Sequence, residues 1–386
     1  MKGSFFKLIS LSLFLLGTVI AQAEEGKIFL LDQNLALVQQ KRVVYLNKGL
    51  NEVNFHPVDE GIILESVCPY ISGCSFLEQR FVLPSILFWK VESEVEGQRE
   101  LTLSYLTRGI KWSINYRMEI KKEEKYFNLY GLLNVENKGK VNWWNTELAF
   151  IEKINYRQIE TKEKEEEERV AIANYIKNVW IKPYKDILFF YFKRPITLEE
   201  EQIKSFPLFS LFKLPLEKTY LADGQKYGEV VREEISFFNP FKPSSNFVLP
   251  GGHLYIYQEL PDGEKLYLGE GELTQTLPGE IIQIYLGPAR GIKAQRIQTF
   301  YREIELSEVE KRVYKKEVAR EYGYKIVLSN FRSYPVNVKV VEHFYDWWEI
   351  LESEPPSYEK AKDKIIYNIK IPPQGRKIVN YRAKII

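Results

Sequence analysis

The sequence predicts an all-β protein built from antiparallel β-sandwich domains, and two observations support this. Short runs rich in Val, Ile and Tyr recur along the chain, and turn signals such as Asp223-Gly224, Asp262-Gly263 and Pro278-Gly279 separate them. Several of these runs alternate apolar and polar residues with the period of two that is typical of a half-buried strand. Recurrent short strands with glycine turns favour sandwiches over an alternation of strands and helices.

The first 23 residues have the layout of a secretory signal peptide. Lys2 and Lys7 precede an apolar stretch over residues 8–20, and Ala21-Gln22-Ala23 provides a small-x-small cleavage site. The alternative is an uncleaved anchor, but the apolar stretch is shorter than the roughly 20 residues that span a bilayer. We therefore expect cleavage after Ala23 and a periplasmic or secreted protein that does not span the membrane afterwards.

Length and charge limit the classes of protein that remain. The 386 residues are 45% hydrophobic and include 25 Tyr and 23 Phe, which excludes a disordered chain and suggests two or three folded units. Removal of the signal peptide leaves 52 basic and 52 acidic residues. Because this mature chain is formally neutral, we expect no nucleic-acid partner. Few Met and abundant Lys and Glu are typical of a thermophilic source.

Three β domains are predicted after the signal peptide. In the first, residues 35–45 and 50–55 flank Asn47-Lys48-Gly49, which indicates a hairpin. In the last, Val336, Val338 and Val340 share one face of a strand, and this alternation predicts an immunoglobulin-like sandwich. The predicted domains are an N-terminal β domain at 24–95, a central sandwich at 96–302 and the immunoglobulin-like domain at 303–386.

Residues 155–205 interrupt this pattern and are interpreted as an insertion in the central sandwich. A charge run over residues 161–169 precedes residues 170–180, which could be helical, and this part is most simply a solvated linker or a short exposed helix. Residues 187–192 read Ile-Leu-Phe-Phe-Tyr-Phe without alternation. This run is either a strand buried on both faces or a surface that needs a partner, such as an oligomer interface.

Cys68 and Cys74 are the two cysteines of the chain, and a proline and a glycine lie between them. In an oxidising compartment, such a close pair predicts a disulfide that closes a small loop. A metal site would need further ligands, but His56, His253 and His343 are scattered singly. We therefore expect no metal ion.

Sequence motifs for catalysis are absent. The chain contains no Gly-x-Ser-x-Gly elbow, no phosphate-binding Gly-Lys-Ser/Thr loop and no His-Glu-x-x-His motif, so neither a catalytic residue nor a cofactor is predicted. His253 follows two glycines and is the best single candidate for a catalytic group, although an isolated turn histidine is more often a surface residue. A glycan hydrolase with two distant carboxylates stays open as an alternative, because such residues need to meet only in space.

Two pairs of adjacent tryptophans, Trp143-Trp144 and Trp347-Trp348, are the candidate ligand or interface residues. Neighbours in a strand point to opposite faces, so one member of each pair can fill a core while the other faces outward. An outward tryptophan can stack on a sugar ring, anchor a protein interface or pack beneath a second domain. Packing between domains is the simpler interpretation, since tryptophan is usually largely buried.

Residues 104–116, which read Ser-Tyr-Leu-Thr-Arg-Gly-Ile-Lys-Trp-Ser-Ile-Asn-Tyr, resemble the opening of a bacterial domain of unknown function. That domain occurs in secreted proteins and in homologues of mucoidy inhibitor A. Later parts of it resemble residues 249–252, 254–257, 324–330 and 335–342. The segment before it in simpler secreted members, which lack the coiled coil, resembles residues 34–38 and 49–53. The resemblance implies an all-β fold in the cell envelope and no established activity.

These features lead to one expected function and two alternatives. We expect a non-catalytic binding or scaffold protein of the cell envelope that engages polysaccharide or another protein through exposed aromatic side chains. The first alternative is an envelope glycan hydrolase with a carboxylate pair. The second is a structural subunit of a homo-oligomer whose interface is formed by residues 187–192.

Overall fold

The computed structural model describes residues 25–83, 85–154, 179–241 and 248–386. Strands make up most of these residues, so the predicted all-β class is confirmed. The helices among them are a 3-10 turn at Leu64–Ser66, α1 (Gly224–Tyr227) and α2 (Glu308–Tyr314). None of the helices in these ranges is long and apolar enough to cross a membrane. The predicted signal peptide and the charge run over residues 161–169 lie outside the described residues.

The strands are numbered in chain order. The first are β1 (Glu25–Asp32), β2 (Leu35–Leu46), β3 (Gly49–Phe55), β4 (Cys68–Tyr70), β5 (Cys74–Val82), β6 (Ile86–Ser93), β7 (Gly97–Thr107), β8 (Ile110–Ile120) and β9 (Tyr126–Asn137). They continue with β10 (Trp143–Lys153), β11 (Val179–Tyr184), β12 (Ile187–Phe192), β13 (Ile196–Leu198), β14 (Ile203–Pro215), β15 (Glu217–Ala222), β16 (Val231–Phe238), β17 (Gly252–Glu259) and β18 (Lys265–Leu273). The last are β19 (Ile281–Pro288), β20 (Ile292–Glu305), β21 (Val318–Asn330), β22 (Val336–His343), β23 (Trp348–Glu354), β24 (Glu359–Lys360), β25 (Lys364–Ile371) and β26 (Arg376–Ile385).

The chain divides into two compact units whose limits differ from those of the predicted domains. The predicted boundary after residue 95 lies within the first unit, and the one after residue 302 falls inside β20 of the second. Turn signals in this chain therefore mark the ends of strands rather than the ends of domains. The first unit comprises the chain up to Trp112, Val135–Ile151 and Phe189–Lys204, and the second comprises Ser113–Asn134, Glu152–Leu188 and Ser205–Ile386.

The first unit contains two sheets, with strand orders β12-β10-β1-β2-β7-β4 and β3-β6-β5, and β13 pairs with β10. The predicted hairpin around Asn47-Lys48-Gly49 is wrong. β2 pairs with β1 and β7, whereas β3 pairs with β6. Gly49 has a φ of 94°, which glycine adopts without steric cost. The turn therefore carries the chain from one sheet to the other.

The second unit contains three sheets, with strand orders β14-β9-β8-β17-β18, β19-β16-β15-β22-β25-β24 and β20-β21-β26-β23. β17 and β18 form an antiparallel pair around Asp262-Gly263, where the sequence places two strands. The sheets are mixed, however, and not purely antiparallel as predicted. β8 runs parallel to β17, β15 runs parallel to β22, and β1 of the first unit runs parallel to β10. The alternation of side chains cannot reveal strand direction, because a strand has the same period in either arrangement.

A C-terminal sandwich forms where the six-stranded and four-stranded sheets of the second unit share one hydrophobic core. Val336, Val338 and Val340 of β22 are buried, as their alternation predicts, and Ile326 and Leu328 of β21 pack against them from the facing sheet. The sandwich begins with β15 and therefore includes strands that the sequence assigns to the central domain. Its immunoglobulin-like character stays a prediction.

Part of the predicted insertion is described. Val179 and Trp180 begin β11, so they are not helical, while residues 155–178 lie outside the described residues. The apolar run forms β12, in which Leu188 and Phe190 are buried and the other four side chains are half-buried. The ring of Phe190 stacks on that of Phe150 at 4.3 Å. The run is therefore a strand with one buried and one half-buried face, which is not the strand buried on both faces of the first interpretation, and its role as an oligomer interface stays a prediction.

Candidate functional site

The first tryptophan pair lies on β10, with its members on opposite faces. Trp143 is 2% exposed and Trp144 is 60% exposed, which is the alternation expected along a strand. Leu198 of β13 stands opposite Trp143 in the ladder. Asn145 follows with a φ of 48°, and the register shifts before Thr146. Trp143 belongs to a core, and a ligand role for Trp144 stays a prediction.

The second pair lies where β23 begins. Trp348 is 7% exposed, and its ring stacks on Phe344 at 4.5 Å. Trp347 precedes the strand and is 44% exposed, with its ring centroid 5.6 Å from that of Tyr314 in α2. Trp348 is therefore a core residue. Trp347 is partly covered by α2 and keeps one part of its ring at the surface.

Cys68 and Cys74 are free thiols in the structure, so the predicted disulfide is not formed. Cys68 begins β4 and pairs with Ser104 of β7, whereas Cys74 begins β5 and pairs with Ser93 of β6. The two cysteines thus begin strands of different sheets. Proximity in sequence does not reveal this, because the short connection between them changes sheets.

A cleft of ≈ 460 Å³ opens at one end of the C-terminal sandwich, within the range typical of small-molecule sites. Along β21 the core-facing residues change from Leu328 and Ile326 to Tyr324, Tyr322 and Arg320. The apolar filling of the sandwich therefore stops before the strands end, and the space left between the sheets is lined by aromatic and polar groups. We call this space the end cleft.

The floor of the end cleft holds an ion pair between the two sheets. The Nε–H group of Arg296 on β20 donates to both carboxylate oxygens of Glu342 on β22, with Nε 3.0 Å from Oε1 and 2.9 Å from Oε2. The Nη2 atom of Arg296 also lies 2.9 Å from Glu342 Oε2. Glu342 is 1% exposed and also accepts a hydrogen bond from the Tyr381 hydroxyl. The Arg296 guanidinium lies 3.5 Å from the centroid of the Tyr324 ring. The buried carboxylate is thus compensated by charge and by hydrogen bonds.

The same contacts determine the protonation states of Arg296 and Tyr381. Burial and the charge of Glu342 raise the pKa of Tyr381. Burial alone would lower the pKa of Arg296, but the hydrogen bonds and charge of Glu342 more than offset this and raise it. Both groups therefore keep their protons at neutral pH. The ion pair thus holds the N–H groups of Arg296 that do not bind Glu342 in a fixed arrangement.

One wall of the end cleft is stabilised by a second buried pair. His343 Nε2 lies 2.8 Å from Asp223 Oδ2, and both side chains are buried. Asp223 Oδ1 also accepts a hydrogen bond from the backbone N–H of Lys226 at the start of α1. Gln225 Nε2 donates to the His343 carbonyl oxygen at 3.0 Å. These contacts attach α1 to the end of β22 and hold His343 against the cleft.

The rim combines aromatic rings with paired charges. The rings of Tyr322 and Tyr324 are nearly parallel, with centroids 6.3 Å apart, and Tyr345 is 82% exposed. Lys316 lies 3.3 Å from Asp346. Arg320 has a similar ion pair with Glu303 at 3.3 Å. Three basic side chains line the cleft, namely Arg296, Lys316 and Arg320, and each of them has a carboxylate partner.

His253 occupies a different position from the one its sequence indicates. It lies in β17 rather than in a turn, and it has partners on the neighbouring strand. Its Nε2 lies 3.2 Å from Glu270 Oε2 and its Nδ1 lies 3.5 Å from Glu272 Oε1. Within the described ranges, no three His, Cys, Asp or Glu side chains are grouped so that they could hold a metal ion.

Glu152 is the carboxyl group that comes nearest to a catalytic acid. Burial raises its pKa to about 7, although a hydrogen bond from Gln275 Nε2 at 2.9 Å acts in the opposite direction. A glycosidase needs a second carboxylate within about 5–10 Å. Among the residues that the structure describes, no other carboxylate contributes to the raised pKa of Glu152.

The sequence reasoning missed the residues of the end cleft. They come from separate strands that only the fold brings together, and Trp347 is the predicted residue nearest to them in sequence. A signal was nevertheless present, because Glu342 continues the buried series Val336, Val338 and Val340. A charged residue on the apolar face of a strand needs a buried partner.

No protein-family model matches the sequence. A search of curated proteins likewise finds no match. The resemblance of residues 104–116 to the secreted domain family therefore stays a prediction, and the proposal for function depends on the geometry of the site.

Proposed function

We propose that the mature chain is a non-catalytic binding protein of the cell envelope, periplasmic or secreted, that takes a saccharide unit of an envelope polysaccharide into the end cleft. One observation carries this proposal. The cleft is lined by tyrosine rings, and beside them the ion pair with Glu342 holds the Arg296 guanidinium in a fixed position. A sugar ring needs both, because its faces are apolar and its edge carries hydroxyl groups.

The aromatic residues supply the stacking surface. Tyr322 of β21 lines the cleft, and Tyr345 stands at the mouth with most of its side chain in solvent, whereas the ring of Tyr324 is covered on one side by Arg296. Tyrosine provides a large apolar face at a low cost in side-chain entropy.

The pairing of the charged side chains in the end cleft favours a neutral saccharide as the ligand. Arg296 is neutralised by Glu342, Lys316 by Asp346 and Arg320 by Glu303. An acidic ligand would have to break one of these pairs or remain unpaired in a partly desolvated site, which costs free energy. The hydroxyl oxygens of a sugar can accept hydrogen bonds from the remaining N–H groups of Arg296 without breaking any ion pair.

Two sequence features support the location and the family. The first 23 residues have the layout of a signal peptide. Residues 104–116 resemble the secreted domain shared with homologues of mucoidy inhibitor A. Both are consistent with a protein that works among polysaccharides outside the cytoplasm.

A glycan hydrolase has weaker support. Beneath the end cleft, Glu342 is occupied by Arg296 and Tyr381, whereas Asp346 and Glu317 of the cleft are exposed and paired with lysines. Hydrolysis requires one protonated and one ionised carboxyl group on either side of the scissile bond. The cleft offers no buried carboxyl group that is free for this task among the described residues.

Calorimetric titration of residues 24–386 with neutral oligosaccharides and peptidoglycan fragments tests the proposal. We expect saturable binding that weakens by roughly tenfold or more in Tyr345→Ala and Tyr322→Ala, as for an interface anchor. Trp144→Ala is the matched control, because it removes an exposed aromatic ring from the first unit. Equal loss in the control, or no binding by the unaltered protein to any of these ligands, would contradict the proposal.

A further inference from the structure

A second cavity, of ≈ 440 Å³, lies on the outer face of the six-stranded sheet. Side chains alternate along a strand, so residues next to the core residues of the sandwich point to this face. Its apolar floor includes Leu221 of β15, Val341 of β22 and Ile366 of β25. We call it the outer groove, and it crosses several strands.

The charges of the outer groove are not balanced, in contrast to those of the end cleft. Lys226, Lys339 and Lys364 line the groove, and within the described ranges none of them forms an ion pair. Two nearby carboxylates are already occupied, because Asp223 contacts His343 and Glu234 lies 2.8 Å from Arg232.

Two of these lysines are half-buried, namely Lys339 and Lys364. A partly desolvated ammonium group without a counter-charge costs free energy, which an anionic ligand would recover. Glu217 is exposed at the margin and has no ion pair in the described part of the chain, but one carboxylate cannot balance three lysines. The groove therefore favours a ligand with negative charge.

The spacing of the lysines favours a chain over a single small anion. Lys364 stands opposite His343 in the ladder between β22 and β25, and Lys339 lies four residues before His343 on β22. At the rise of a strand, this separates the two lysines by about 13 Å along the sheet. An extended polymer with several acidic groups can contact both.

We propose that the outer groove binds an extended polysaccharide that carries carboxylate groups, such as a polyuronate. Lys339, Lys364 and Lys226 contact its carboxylates, while Thr219 and Ser236 hydrogen-bond its hydroxyl groups. This proposal goes beyond the function assigned to the end cleft, since it concerns another face of the sheet and a ligand of different charge.

The floor of the groove favours a glycan over an acidic peptide. β15 lies between β16 and β22, and β22 lies between β15 and β25, so their backbone groups are engaged in the sheet. A peptide that adds to a sheet needs a free edge for main-chain hydrogen bonds. The outer groove offers side chains only, which suit hydroxyl groups.

The test uses residues 24–386 and three probes of similar length: polygalacturonate oligomers, the same oligomers with methyl-esterified carboxyl groups, and poly-glutamate. We expect the first probe to bind at low ionic strength and the ester to bind much more weakly. The double variant Lys339→Gln/Lys364→Gln should lose roughly tenfold or more in affinity, the effect of losing two charge-assisted contacts. Lys377→Gln, an exposed lysine of the four-stranded sheet, is the control and should leave binding unchanged.

Each remaining outcome would overturn the proposal. Equal binding of acid and ester would show that charge does not select the ligand. Tighter binding of poly-glutamate would indicate a protein partner, and an unchanged affinity in the double variant would place any binding elsewhere. Binding that persists in about 1 M salt, where the Debye length is roughly 3 Å, would also contradict the electrostatic basis. Tyr345→Ala should not alter polygalacturonate binding, so failure of this site and failure of the end cleft are distinguishable.

Discussion

Arg296 and Glu342 belong to opposite sheets of the C-terminal sandwich and form an ion pair at the end of its core, with Arg296 Nε 2.9 Å from Glu342 Oε2. Below them the sheets are held together by aliphatic side chains of the shared core. The pair therefore closes the core and forms the floor of the end cleft. Stability and binding should both depend on it.

Glu342→Ala should lower the free energy of unfolding by about 3–5 kcal/mol, because it leaves the half-buried Arg296 without its counter-charge. Urea denaturation measures this change. Glu303→Ala is the matched control, since it removes an exposed partner of Arg320 and should cost less than about 1 kcal/mol. Similar losses in the two variants would mean that the buried pair does not hold the sheets together.

The two members of the first tryptophan pair, Trp143 and Trp144, should differ in how much they contribute to the free energy of unfolding. Trp143→Ala should cost about 3–5 kcal/mol of unfolding free energy, because it removes a large buried ring. Trp144→Ala should change the stability by no more than about 0.5 kcal/mol, since most of its ring is in solvent. Thermal or urea unfolding of the two variants checks this, and a large loss in Trp144→Ala would show that its ring is covered by a partner.

Glu152 should make the protein less stable as the pH rises from about 4.5 to about 7. Burial raises the pKa of the carboxyl group from its ordinary value of 4.5 to about 7. Between these values the folded state holds a proton that the unfolded chain has released, so the folded state loses stability with rising pH. Glu152→Gln should remove this part of the pH dependence of unfolding. Parallel curves for the variant and the unaltered protein would refute the raised pKa.

The two cysteines should react as free thiols. Without reductant, thiol labelling of the unfolded mature chain should give two groups per molecule, because Cys68 and Cys74 are unbonded. In the folded protein Cys68 should react first, since it is exposed and Cys74 is half-buried. A count of zero would instead support the disulfide that the sequence predicts.

The sequence predicts local features well and the assembly of strands poorly. Alternation identifies the buried faces of Val336, Val338 and Val340, because burial follows directly from side-chain direction along a strand. The turn at Asn47-Lys48-Gly49 misleads, because a tight turn can also join strands of two different sheets, as this one does. Pairing depends on competition among all strands, which a local pattern does not contain.

The candidate site shows the same limit. Tyr322 and Arg296 come from two different strands, and nothing in the spacing of either residue indicates the other. The tryptophan pairs attract attention because they are adjacent in sequence, yet the end cleft is lined mainly by tyrosines and charged residues. What the sequence could have indicated is Glu342, whose place on an apolar face requires a partner of opposite charge.

The parallel pairing of β15 with β22 has a consequence for folding kinetics. Tyr220 stands beside Val338, so the central ladder of the six-stranded sheet joins segments that are far apart in the chain. Such pairings carry a large entropy of loop closure and form slowly, whereas the hairpins β17–β18 and β20–β21 join neighbouring segments and can form early. β22 supplies Glu342 to the end cleft and Lys339 to the outer groove. Both proposed binding surfaces therefore depend on this one long-range pairing.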